Sequence, residues 1–136
     1  MLPGPPFLRP SGEEWRASER ILALPLEGIR PTTIVRAGGL DQGNIGLNLR
    51  DVEDRGMLDQ VMFLAGSAIN SIKDASGRPD PQLGAAAMLE ALDVHRSQVL
   101  AEVSPADHVS TLMDVARNRR LTALVRALEQ RYPGLQ

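Results

Sequence analysis

The feature that most constrains this chain is the run over residues 104–132, where apolar residues recur at helical spacing for longer than anywhere else and positive charge is densest. It opens Ser104-Pro105-Ala106-Asp107: a hydroxyl that can cap, a proline whose missing N–H is no loss in a first turn, and a carboxylate where the helix dipole is positive. Val109, Leu112, Met113 and Ala116 then follow the helical period. A second set, Leu121, Leu124, Val125 and Leu128, is displaced around the axis by roughly a third of a turn at 100° per residue. One straight helix would bury two different faces. The displacement falls on Arg117-Asn118-Arg119-Arg120, so either a joint breaks the helix there or its halves pack against different neighbours. Pro133-Gly134 ends the element.

Two more helical patterns precede it. Asn48-Leu49-Arg50-Asp51 is placed to cap a helix whose apolar positions are Leu58, Val61, Met62, Ala65, Ala68, Ile69 and Ile72, with Gly77 and Pro79 as its stop. Asp80-Pro81 starts the next, with Leu83, Met88, Leu92, Val99 and Val103 toward the core and Glu90, Asp93, Arg96 and Gln98 toward water. Three helices of roughly 20 to 27 residues with tight connections predict a mainly α fold, a three-helix antiparallel bundle over residues 48–133. Small residues at Ala65, Gly66, Ala68, Ala85, Ala86 and Ala87 either allow close helix approach or reflect plain helix propensity.

Residues 1–47 read differently, as an extended arm rich in proline and glycine. Pro3, Pro5, Pro6 and Pro10 cannot donate backbone hydrogen bonds and favour a polyproline conformation, in which Phe7 and Leu8 are the docking side chains. Ser11 and Glu14 have capping-box spacing, predicting a short helix over about residues 12–23 that carries Trp15 either onto the domain or into an interface. Pro25, Gly28, Pro31, Gly38, Gly39, Gly43 and Gly46 then punctuate short apolar pieces. Residues 32–36 read as a strand, paired with residues 45–49 in a hairpin over about residues 32–49 or laid over a neighbouring subunit.

Several chemistries are excluded or unsupported. With 136 residues and no cysteine there is one core and no disulfide, thiolate zinc site or cysteine nucleophile. A net charge of -2 exerts no global pull on nucleic acid, and one Trp, one Tyr and two Phe supply few stacking surfaces. No secretory leader or bilayer-spanning stretch is evident, so a cytoplasmic protein, or one incorporated into an assembled particle, is expected. Lys73 is the one lysine among 15 basic residues, a bias expected of a GC-rich bacterial or phage genome that lowers the weight of any single arginine. Gly39, Gly43 and Gly46 precede a helix start but lack the lysine and hydroxyl of a phosphate loop. His95 and Asp93 do not face each other on a helix, and His95 with His108 is too little for a metal site. The carboxylates Asp51, Glu53 and Asp54 suit a helix N-terminus, with Asp59 nearby. No catalytic, cofactor or metal site is therefore expected, and no enzyme or small-molecule substrate.

What stands out is charge asymmetry: Arg117, Arg119, Arg120, Arg126 and Arg131 at one end against the acidic group at Asp51 to Asp59. The two patches pair across subunits, or the arginines meet phosphates, or both are solvated faces. The expectation is a non-enzymatic protein-protein interaction or assembly subunit, homo-oligomeric or bound to a protein partner, docking through Phe7, Leu8, Trp15, Arg117, Arg119, Arg120 and Arg126. The alternative is a small helix-turn-helix DNA-binding regulator whose turn lies near Asn118, with Arg119, Arg120 and Arg126 toward the duplex.

Overall fold

Gly38 and Gly39 both have positive φ, 82° and 68°, a conformation that glycine adopts without steric cost. They turn the chain from a short strand into a segment of which residues 42–48 are all buried. A computed structural model describes residues 33–135 together with Arg16, Ala17, Arg20 and Ile21, which are helical and exposed. Phe7, Leu8 and Trp15 lie outside the described residues.

Strand β1 (Ile34–Ala37) leads through that turn to helix α1 (Ile45–Asp54). Gly56, at φ 67°, ends α1, and a 3-10 turn (Leu58–Gln60) delivers the chain to β2 (Val61–Leu64). The strands pair in parallel, Ile34 opposite Val61 and Ala37 opposite Leu64, with α1 as the crossover. Helix α2 (Gly66–Asn70) follows, then a turn closed by Gly77 at φ 81°, then α3 (Pro81–Arg96), α4 (His108–Asn118) and α5 (Thr122–Arg131). The described residues thus form a mainly helical fold with a two-stranded parallel sheet.

The helix expected from Asp51 to Gly77 is not formed. Its apolar run Val61-Met62-Phe63-Leu64 is short, bracketed by Gly56 and Gly66, and finds a partner strand in β1. Four apolar residues satisfy either period until a partner exists. For the same reason the hairpin over residues 32–49 gives way to a parallel pair, and residues 45–49 are helical. Asn48 is no cap: it lies inside α1, where its Nδ2 donates to the Asn44 carbonyl. The three long helices of the expected bundle are therefore absent as such. Nor does the arm reach residue 47, since Leu40, Gln42, Asn44, Ile45 and Leu47 are all buried.

Downstream, the Asp80-Pro81 start and the Arg117 to Arg120 joint hold, whereas α3 stops at Arg96, with Gln98 at φ 59°, short of the expected Val103, and α4 begins at His108 and not at Pro105. Asp80 caps α3 by accepting the Leu83 N–H at 3.0 Å, with Pro81 in the first turn. Of the two readings for residues 117–120, the joint is the one realised. Arg120 takes φ 56°, its N–H donates to the Arg117 carbonyl at 3.1 Å, and the Leu121 N–H donates to the Ala116 carbonyl at 2.9 Å. That is the left-handed helix stop for which glycine is the usual residue.

Packing corrects two assignments on α3. Its buried face is Gly84, Ala87, Met88, Ala91 and Val94, whereas Val99 beyond its end is exposed. A Cβ at Gly84 would run into the Ile69 carbonyl, so α2 and α3 meet backbone to backbone at that point. Glu90 does not face water: its Oε2 accepts the Leu124 N–H at 2.7 Å, capping the start of α5 from another helix. The main core joins Leu112, Met113, Leu124, Leu128 and Tyr132 to Ile45 and Leu40.

Candidate functional site

Three surfaces collect the side chains capable of recognition. The first is the sheet. Alternation puts Ile34, Arg36, Val61 and Phe63 on the inner face, where Arg36 stacks 5.9 Å over the Phe63 ring and donates to Asn48 Oδ1 at 2.9 Å and Asp51 Oδ2 at 3.2 Å. Burial pulls the Arg36 guanidinium below its ordinary pKa, opposed by the Asp51 hydrogen bond. The outer face consists of Val35, Ala37, Met62 and Leu64, with no charge among them. Val35 is 51% exposed, Met62 and Leu64 52%, and the neighbouring Leu58 51%. Parallel sheets are ordinarily covered on both faces, and two strands are marginal by themselves.

The second is a groove beside α5. Asp74 Oδ1 accepts from the Ser76 N–H at 2.8 Å, the Ser76 hydroxyl at 2.6 Å and the Arg78 N–H at 3.1 Å, which organises the 74–78 turn. The Ser76 hydroxyl holds the Asp74 carboxyl below its usual pKa. Helix α5 is fastened alongside: Arg126 Nε and Gln130 Nε2 donate to the Lys73 carbonyl at 3.0 and 2.8 Å. Between them lies an open groove of about 730 Å³, floored by Leu83, Ala123 and Val125 and edged by Arg117, Arg120, Arg126, Asp74 and Glu129. Arg117 stands 3.9 Å from Glu129. Arg120 makes no hydrogen bond or ion pair through its side chain among the described residues. Of the four arginines singled out from sequence, the fold brings together Arg117, Arg120 and Arg126. Arg119 turns away and donates to Ser97 Oγ at 3.2 Å.

The third is a polar pocket of about 210 Å³ between α1 and the end of α3, lined by Arg50, Glu53, His95, Gln98 and Glu102 among others. His95 Nε2 meets Glu53 Oε1 at 3.0 Å, a pair separated by 42 positions that helical spacing gives no means of anticipating. Arg50 donates to the Leu100 and Val103 carbonyls at 2.8 Å each and lies 3.4 Å from His108 Nδ1. Burial, with Arg50 and His95 adding, pushes His108 down to about 4, so it is a neutral packed imidazole. Among the described residues no group of three or more metal-ligating side chains converges.

This layout reassigns the acidic patch. Asp51 is committed to Arg36 and Arg55, and Glu53 to His95, while Asp54 and Asp59 stay exposed. Asp41, assigned no role from sequence, accepts the Tyr132 hydroxyl at 2.8 and 2.9 Å on its two oxygens and ties the buried turn to the end of α5.

No family model matches the chain, and no curated protein and no solved structure is significantly similar to it. Among the described residues no helix is long and apolar enough to cross a membrane.

Proposed function

We propose that this chain is a non-enzymatic assembly subunit that self-associates through the outer face of the β1–β2 sheet. The observation that carries this reading is the uncharged, half-exposed apolar face of Val35, Ala37, Met62 and Leu64 on a sheet that has two strands among the described residues. Covering it removes apolar area from water, and a second copy brings no like charge against it. The arginine bias makes a bacterial or phage multi-protein structure the setting we favour, with Phe7, Leu8 and Trp15 as further docking side chains.

Light scattering on full-length protein over a range of concentrations tests it. A defined oligomer is expected, holding or strengthening in high salt because apolar contact is not screened. Met62→Glu should yield monomers without unfolding, since the side chain points outward. A wild-type monomer at every concentration sinks the self-association reading, and recovery of the face by a different protein would redirect it to a hetero-assembly.

The DNA-binding alternative has in its favour the three-residue joint between α4 and α5. Against it, Arg119 diverges from Arg120 and Arg126, and Asp74 and Glu129 share the groove with the latter two. A mobility shift at low salt that disappears on Arg120→Ala would be needed to revive it.

A further inference from the structure

The groove beside α5 lies apart from the sheet and has a chemistry of its own. Its lining charges are Arg117, Arg120 and Arg126 against Asp74 and Glu129, which leaves one net positive charge. The pairs are unequal. Asp74 Oδ1 accepts from Ser76 and Arg78, Arg126 Nε is bound to the Lys73 carbonyl, and Arg117 faces Glu129, so among the described residues Arg120 is the lining cation whose side chain makes no hydrogen bond or ion pair. Its position sharpens the point. The joint requires a left-handed residue after α4, but nothing in the joint requires a guanidinium, and glycine would serve without strain. Below this charge the floor is apolar, made by Ala75, Leu83, Ala123 and Val125.

We propose that this groove binds a small amphiphilic monoanion, a carboxylate head on an apolar chain, with the head on Arg120 and the chain along Leu83, Ala123 and Val125. The volume of about 730 Å³ falls in the range of small-molecule sites, and such sites combine apolar walls with a few placed polar groups. Charge decides between ligand classes. A polyanion would meet the carboxylates of Asp74 and Glu129, and a neutral chain would leave Arg120 unpaired, whereas a single carboxylate matches the surplus and accepts the paired donors of a guanidinium.

The test is titration of the full chain with decanoate below its micelle concentration, followed by calorimetry and by amide shifts in NMR spectra. Decanamide serves as the neutral chain and acetate as the head alone. Saturable binding is expected, with shifts concentrated at residues 75, 83 and 117–129, and both comparators weaker by about tenfold or more. Arg120→Gly should lose about tenfold in decanoate affinity while its melting temperature holds or rises, which separates lost binding from lost folding. Glu129→Gln, freeing Arg117, should tighten binding. Decanoate binding that is non-saturable, unchanged by Arg120→Gly, or matched by decanamide or acetate overturns the proposal.

Discussion

The two ends of the described chain are built by different kinds of information. From Asp80 onward two boundaries rest on signals within one turn of themselves: Asp80 with Pro81 at the start of α3, and the left-handed residue at Arg120 between α4 and α5. From Ile34 to Asn70 almost nothing is local. The strands β1 and β2 are four residues each and pair across the whole of α1; β1 overlaps the strand that the sequence suggests, but β2 falls inside an apolar run with helical spacing. Propensity and capping act over a few residues and survive in any context, while a parallel pair exists only once the chain between its strands has folded. The lesson is that an apolar spacing is evidence of burial before it is evidence of a period.

The sharpest way to break the contrast is in the locally encoded half. Leu128→Ala, at a fully buried position of α5, should cost about 2–5 kcal/mol in chemical denaturation, and both halves should unfold together if one core joins them. A loss confined to the helices, with the sheet region still protected from hydrogen exchange, would mean the halves are separate units.

His108 sits on the seam, with Arg50 of α1 at 3.4 Å and Gly46 and His95 close to its ring. Because the fold favours its neutral form, its contribution is whole above the ordinary pKa of 6.5 and is lost as pH falls toward about 4. Over that window wild type should lose up to about 3 kcal/mol more than a His108→Gln variant, measured by denaturation at matched pH. Parallel pH profiles would show that the seam does not depend on this ring.

A smaller effect belongs to the tie between the halves. Burial raises the pKa of Asp41, and the nearby Tyr132 hydroxyl, itself pushed up by burial and by that carboxylate, is its side-chain donor. Tyr132→Phe keeps the ring that packs on Gly43 and removes only the hydroxyl. It should cost about 1–3 kcal/mol by leaving a partly buried carboxylate short of a donor. The loss should shrink when pH is lowered enough to protonate Asp41. The smallest change is a gain: Arg120→Gly relieves φ 56° and should stabilise by about 1 kcal/mol, seen as a higher melting temperature.

Legibility followed the same division. The Arg117 to Arg120 joint was readable because the apolar stripe itself shifts there, and the Asp80-Pro81 start because both residues are specialised for it. Of the small residues considered for close approach, Ala68 and Ala87 are buried, but the closest contact falls on Gly84, which composition did not distinguish. The glycine-rich segment at residues 38–46 reads as part of an arm because glycine and polar residues are typical of loops. Here they are central: Gln42 Nε2 donates to the Ala68 and Gly84 carbonyls at 3.1 and 3.2 Å, and Gly43 leaves room for the Tyr132 ring. The groove was half readable, as an excess of arginine, but not the separation of Arg119 from the other three.

What this sequence determined by itself is where α3 starts and where the apolar stripe changes face between α4 and α5, since caps, prolines and left-handed residues act on backbone groups within a turn. Only the tertiary structure decided that Val61 to Leu64 is a strand, that Glu90 caps α5, that Glu53 belongs to His95, and which arginines share a groove. Those outcomes rest on hydrogen bonds and burial between residues tens of positions apart, whose energy is realised only when the intervening chain has closed, and no local pattern records which partner will be there.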